Sequence, residues 1–139
     1  MEQFKLSFRE PEYVINAENK EVKCKMQYTL KGNPKALGLL KCMGNLLFGD
    51  EYNNPFIIGF ESSYTAHACD GDVFDVNIGK KIARTNAESN AYVQTSNLIF
   101  NMINKYSGML ENLHDSFYVK AQSVVDHNDE YLSPYYGEH

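Results

Sequence analysis

His67, Cys69, Asp72 and Asp75 place an imidazole, a thiol and two carboxylates within one short stretch. These are the ligand types of zinc and its neighbours, and on a strand His67 and Cys69 share one face. No second His or Cys pair completes a tetrahedral set at a usable spacing. Asp70, Asp72 and Asp75 also lack the acidic twelfth position of a calcium loop. The expectation is a half-buried histidine beside a core cysteine, with no metal and no cofactor. Hydrolytic chemistry finds as little. There is no Gly-x-Ser-x-Gly, His-Glu-x-x-His or phosphate-cradling glycine loop, and the neighbours His114 and Asp115 cannot form a relay with each other on a helix. No catalytic residue is assigned, and an enzyme with a dispersed active site ranks third among the readings.

Binding chemistry is better represented. Lys80, Lys81 and Arg84 fall in the first turns of a predicted helix, with Lys80 and Arg84 on one face at a spacing of four. Cations beside the free N–H groups of a helix start favour an anion there, so these three, with Phe74 and Asn77, form the candidate ligand site. The plainer reading is a solvated basic face. A second candidate surface is Ile99, Ile103, Tyr106, Leu110, Leu113 and Phe117, whose alternating spacings of four and three make the seam of a coiled coil or tight bundle. Tyr92 extends it by one heptad. Tyr92, Ile99, Ile103, Tyr106, Leu110 and Leu113 are the expected oligomer interface. Tyrosines suit contact surfaces, and the chain has 10 of them, with Tyr131, Tyr135 and Tyr136 near its end.

The scaffold for these groups is one domain of ordinary size. The 139 residues are 43% hydrophobic and 22% charged, which excludes collagen-like, fully disordered and disulfide-scaffold classes. With 13 Lys and Arg against 18 Asp and Glu, the formal charge of -5 repels phosphate backbones, so direct nucleic-acid binding is not expected. Cys24, Cys42 and Cys69 are an odd, widely spaced set, expected as reduced core thiols. No apolar run approaches the roughly 18–20 residues of a membrane span, and the start lacks the pattern of a signal peptide. The expected compartment is the cytoplasm.

Alternation assigns strands from Phe4 to Phe8, from Tyr13 to Ile15 and from Val22 to Leu30, interrupted at Glu10-Pro11 and by a turn at Ala17–Lys20. Asn33-Pro34 is a cap followed by proline at the first helical position, and Gly49 closes the helix. Gly38 and Gly44 within it cost propensity that a close backbone approach offsets. Phe56 to Phe60 and Tyr64 to Cys69 are expected as strand, bent around Gly59–Ser63. After Asp70-Gly71-Asp72, either Asp72 or Asp75 caps a helical stretch from Val76 to about Phe117. That stretch is one helix or two with a break near Gln94–Ser96. Its row Ala83, Ala87 and Ala91 allows a close backbone approach. Tyr118 to Val125 is a last strand or a helical extension. The domain is expected over 1–125, with 126–139 a mobile polar tail.

Thr65-Ala66-His67-Ala68-Cys69-Asp70-Gly71-Asp72-Val73-Phe74-Asp75, followed by Ile78-Gly79-Lys80-Lys81-Ile82-Ala83-Arg84 and Ala87, is similar to a motif of small accessory proteins of bacteriophages and prophages. There a strand with alanine and cysteine enters an acidic turn, then Phe-Asp and a Gly-x-x-x-Ala helix start. The likeness spans about a sixth of the chain. It implies a viral origin, the host cytoplasm and an accessory role.

The expected fold is α+β: an antiparallel sheet covered by the helix Pro34–Phe48, with a long C-terminal helix or helical hairpin. The expected function is counter-defence by binding. Its partner is a host immune or regulatory protein, or an anionic nucleotide-like molecule that a homo-oligomer sequesters. A virion assembly protein is the alternative.

Overall fold

The computed structural model describes residues 4–69 and 71–136. It divides by internal contacts into two units, Met1–Phe100 and Asn101–His139. The single domain expected from the sequence spans 1–125. Asp70, part of the expected acidic turn, lies outside the described residues, as do the last three of the expected tail.

In the first unit, β1 (Lys5–Phe8), β2 (Glu12–Asn16) and β4 (Phe60–His67) all pair antiparallel with the long β3 (Glu21–Lys31). β1 and β2 lie along the same side of β3. Phe8 pairs with Tyr28 and Glu12 with Lys25, so Arg9, Glu10 and Pro11 stand opposite only Met26 and Gln27. The two strands are one edge strand bent by a bulge, and Pro11 sits where its missing N–H breaks no ladder. Period-two alternation gives β3 a buried row, Val22, Cys24, Met26 and Tyr28, and an exposed row, Lys23, Lys25 and Gln27.

The helix that covers the buried row is α3 (Val76–Leu132). This corrects the expected role of α1 (Pro34–Phe48), which has the predicted bounds and the Asn33 cap but buries only Gly44. The physical reason is side-chain size. Gly79, Ala83, Ala87, Ala91 and Thr95 recur every fourth position along α3, which lets its backbone lie close to the sheet. A Cβ on Gly79 would stand 2.7 Å from Val22 Cγ2. Ala83 and Ala87 pack with Cys24, Met26 and Ala66, and Ala91 with Leu6, Tyr28 and Phe60. Side-chain hydrogen bonds stitch the layers together. Ser62 Oγ donates to the Ala87 carbonyl at 2.8 Å, and Gln94 Nε2 donates to the Tyr28 hydroxyl and the Glu61 carbonyl, each at 3.0 Å. The Tyr28 hydroxyl also shares a 3.1 Å bond with Thr95 Oγ1, so this buried threonine serves the core and no break occurs near Gln94–Ser96.

A second correction falls on Phe56–Phe60. Pro55–Ile58 form a single helical turn, α2, and the strand starts at Phe60. Asn54 caps that turn by accepting from Phe56 N at 3.0 Å, the same Asn-Pro device that starts α1. Asn54 is fully buried, and its Nδ2 donates to the Lys41 carbonyl at 2.7 Å and to Asn45 Oδ1 at 2.9 Å. Gly44 leaves the room this side chain occupies. All three cysteines are free, but only Cys24 is a core thiol; Cys42 and Cys69 are exposed.

In the second unit the chain is helical to Leu132, followed by a 3-10 turn at Ser133–Tyr135. Tyr118–Val125 is thus helix, and so is the start of the segment expected as a mobile tail. Among the described residues no helix is long and apolar enough to cross a membrane.

Candidate functional site

The strand–helix joint brings the ligand-type side chains near one another without making a metal centre of them. His67 Nδ1 lies 3.5 Å from Glu21 Oε1, its neighbour on β3. Asp75 caps α3, accepting from Asn77 N at 2.9 Å and Ile78 N at 3.1 Å. Among the described residues no three of His, Cys, Asp and Glu converge on one point. Beside the joint is a depression of about 460 Å³ lined by Tyr64, Phe74, Ile78 and Ile82 together with Lys20 and His67. Phe74 lines this depression and is half-buried.

The basic residues share one side of the helix but are held separately. Lys80 Nζ lies 5.1 Å from the centre of the Tyr13 ring, on the β2 side. Arg84 Nε is 3.8 Å from Glu88 Oε1, and Lys81 is exposed. None of these three, nor Asn77, lines the depression that Phe74 walls. Burial pushes the Cys24 thiol up from its ordinary value; Arg84 opposes the rise and Glu88 adds to it. Burial likewise raises Tyr28, opposed by its bonds to Thr95 and Gln94. Both groups lie in the core under α3, where a raised pKa keeps them neutral.

The second unit carries the other candidate surface. Ile103, Leu110, Phe117, Val124 and Tyr131 recur at intervals of seven and are 43–70% exposed. Between them come Tyr106 and Leu113, then Lys120 and His127. The heptad therefore runs to Tyr131, beyond the end at Phe117 read from the sequence, because Lys120 and His127 interrupt only its second apolar position. Among residues 101–136 only Met102 is buried. Of the expected interface residues, Tyr92 and Ile99 belong to the first unit. There the Tyr92 hydroxyl accepts from Leu6 N at 3.2 Å and its ring meets Phe8 at 6.3 Å between centroids.

No family model, no curated protein and no solved structure matches the chain.

Proposed function

We propose that the chain is a binding protein that works as a homo-oligomer, assembled through the Ile103–Tyr131 seam, and that it acts by occupying a partner rather than by catalysis. One observation carries this reading: five apolar side chains seven residues apart, exposed along a helix that nothing among the described residues of its own unit covers. A strict seven-residue repeat drifts around a straight helix and stays on one seam only when helices supercoil. A second copy of this chain is the simplest helix with the same repeat. The flanking heptad positions Ser107, Met109, His114, Ser116, Ala121, Ser123 and Asn128 carry no acidic residue, lysine or arginine; the charges along this stretch are Glu130 at the flank and Lys120 in the seam itself. Together with the resemblance to phage accessory proteins, this supports a counter-defence protein of the host cytoplasm that masks a host component. Light scattering after size exclusion, with native mass spectrometry, tests it. A closed oligomer of fixed size is expected. A monomer at tens of micromolar would overturn the reading, and open-ended polymers would move it to virion assembly.

A further inference from the structure

The outer face of the sheet holds a cluster of cations that the protein itself does not neutralise. Lys5 and Lys31 are direct partners in the β1–β3 register and therefore project side by side from the same face. Like charges set opposite one another on adjacent strands are destabilising. In a chain with 18 acidic residues against 13 basic ones, an acidic partner for either position would be easy to supply. Arg9 lies on the same face at the bulge, with Nη1 3.5 Å from Gln27 Oε1. None of Lys5, Arg9 and Lys31 forms an ion pair with a described acidic residue. The nearby carboxylate, Glu61, is engaged with Lys25 Nζ at 3.7 Å.

Arg9 and Lys31 also line a depression of about 490 Å³, together with Ser7, Gln27 and Thr29. Its far wall is Ile58–Gly59, where α2 hands over to β4. Gly59 has φ +101°, and the missing side chain keeps that wall open. The volume is that of a small-ligand pocket, about 300–1,000 Å³. The lining is mainly cationic and hydrogen-bonding: a guanidinium able to bind two oxygens at once, an ammonium, two hydroxyls and an amide, with an isoleucine beside them; its one carboxylate, Glu61, is paired with Lys25.

We infer that this depression binds a small phosphorylated molecule, its phosphate held between Arg9 and Lys31 and its less polar part against Ile58. Ser7 and Thr29 hydroxyls and the Gln27 amide donate to the remaining phosphate oxygens. The anion also relieves the repulsion between Lys31 and Lys5, so binding is coupled to stability. The site belongs wholly to the first unit and does not rest on the helical seam. Loss of one leaves the other standing.

Calorimetric titration of the full-length protein with inorganic pyrophosphate tests the inference, alongside melting curves in pyrophosphate and in sodium chloride of equal ionic strength. Saturable binding is expected, with Tm raised by pyrophosphate beyond the salt control. Arg9→Gln with Lys31→Gln should weaken binding by about tenfold or more and remove the excess Tm shift, whereas Lys80→Gln with Arg84→Gln should change neither. Without ligand, Lys31→Gln alone should raise Tm, because it relieves Lys5. Absence of saturable heat, equal affinity in the Arg9/Lys31 variant, or a Tm shift matched by salt would each overturn the inference. A parallel sedimentation assay uses phosphatidylcholine vesicles with and without phosphatidic acid. Capture by the acidic vesicles without pyrophosphate binding would assign the cations to a lipid surface and overturn the small-molecule site.

Discussion

The two stretches of α3 solve opposite packing problems with the same backbone. From Gly79 to Thr95 every fourth residue is small, and the sheet supplies the bulk: Tyr28 and Met26 are 1% exposed. From Ile103 to Tyr131 the helix itself supplies the bulk, and Leu110, Leu113 and Phe117 remain 65–70% exposed. A row of small residues marks a face already committed to a near neighbour, because a glycine or alanine stripe alone buries little area. A row of large apolar residues in water offers a face that a partner could cover, and the oligomer proposed above uses it. The contrast separates what the chain needs in order to fold from what it has left over for association.

The largest effect should come from charging the leftover face. Leu110→Asp would bury an unpaired carboxylate in the assembled seam, at a cost of about 3–5 kcal/mol, enough to weaken association by more than a hundredfold. Light scattering should then show a monomer, while circular dichroism retains the β-sheet signal and a cooperative melt. Loss of the sheet signal in this variant would mean that the seam is needed for folding, and the contrast between the stretches would fail.

Charging one face probes the second unit; adding a single methyl probes the first. Gly79→Ala places a Cβ against Val22, a fully buried β-branched side chain with little rotamer freedom, so the layers must separate. Overpacking of this kind costs about 1–3 kcal/mol, more than the roughly 1 kcal/mol of helix propensity gained. Gly38→Ala is the control. It sits in α1 with nothing within 4 Å of the added atom, and should stabilise by about 0.5–1 kcal/mol. Urea denaturation of the two variants should therefore move in opposite directions.

These same positions show what was legible in the sequence. The alanine row and the bounds of α1 are local rules, and each appears in the fold where its rule places it; of the two caps the sequence allowed, Asp72 and Asp75, the fold uses Asp75. The role of α1 was not legible, because Leu37, Leu40 and Leu47 read as core-forming without any statement of which helix reaches the sheet first. α2 hid in a short apolar run, Phe56-Ile57-Ile58, that suits a strand and a helical turn equally. The seam beyond Phe117 was masked by Lys120 and His127. The cationic depression had no signal at all, because its walls come from β1, β3 and the α2–β4 junction, and only the register brings Lys5 beside Lys31.

An effect of similar size is expected from the polar stitch between the layers. Tyr28→Phe removes the hydroxyl that accepts from Gln94 and bonds with Thr95, and should cost about 1–3 kcal/mol because the buried partners lose a bond. It should also change the response to alkali. Burial raises the Tyr28 pKa above its ordinary 10.0, so the unfolded chain releases this proton at lower pH than the folded one. Its contribution is complete below about pH 10 and is lost as pH rises through the higher folded value. Cys24, raised above 9.0, adds the same sign of dependence from a lower starting pH. The alkaline limb of the stability curve should be shallower in Tyr28→Phe above pH 10, and the part remaining should shrink further in Cys24→Ala.

The smallest effect should follow reversal of the basic helix start, Lys80→Glu with Arg84→Glu, and the reason lies in how each cation is held. Lys80 rests over the Tyr13 ring, a contact worth about 0.5–1 kcal/mol at an exposed site. Arg84 pairs with Glu88 one turn on, worth about 0.3–0.5 kcal/mol, and a glutamate there would repel Glu88 by a similar amount. Only position 80, at the start of the second turn, is near enough to the helix dipole for a carboxylate to recover part of this loss; position 84 lies in the third turn. The net change in Tm should be a degree or two, and partner binding becomes the informative readout. Lost binding with this near-constant Tm would make the exposed flank of α3 a contact surface in addition to the seam. Unchanged binding would leave Lys80, Lys81 and Arg84 as a solvated face, with recognition carried by the seam and the sheet.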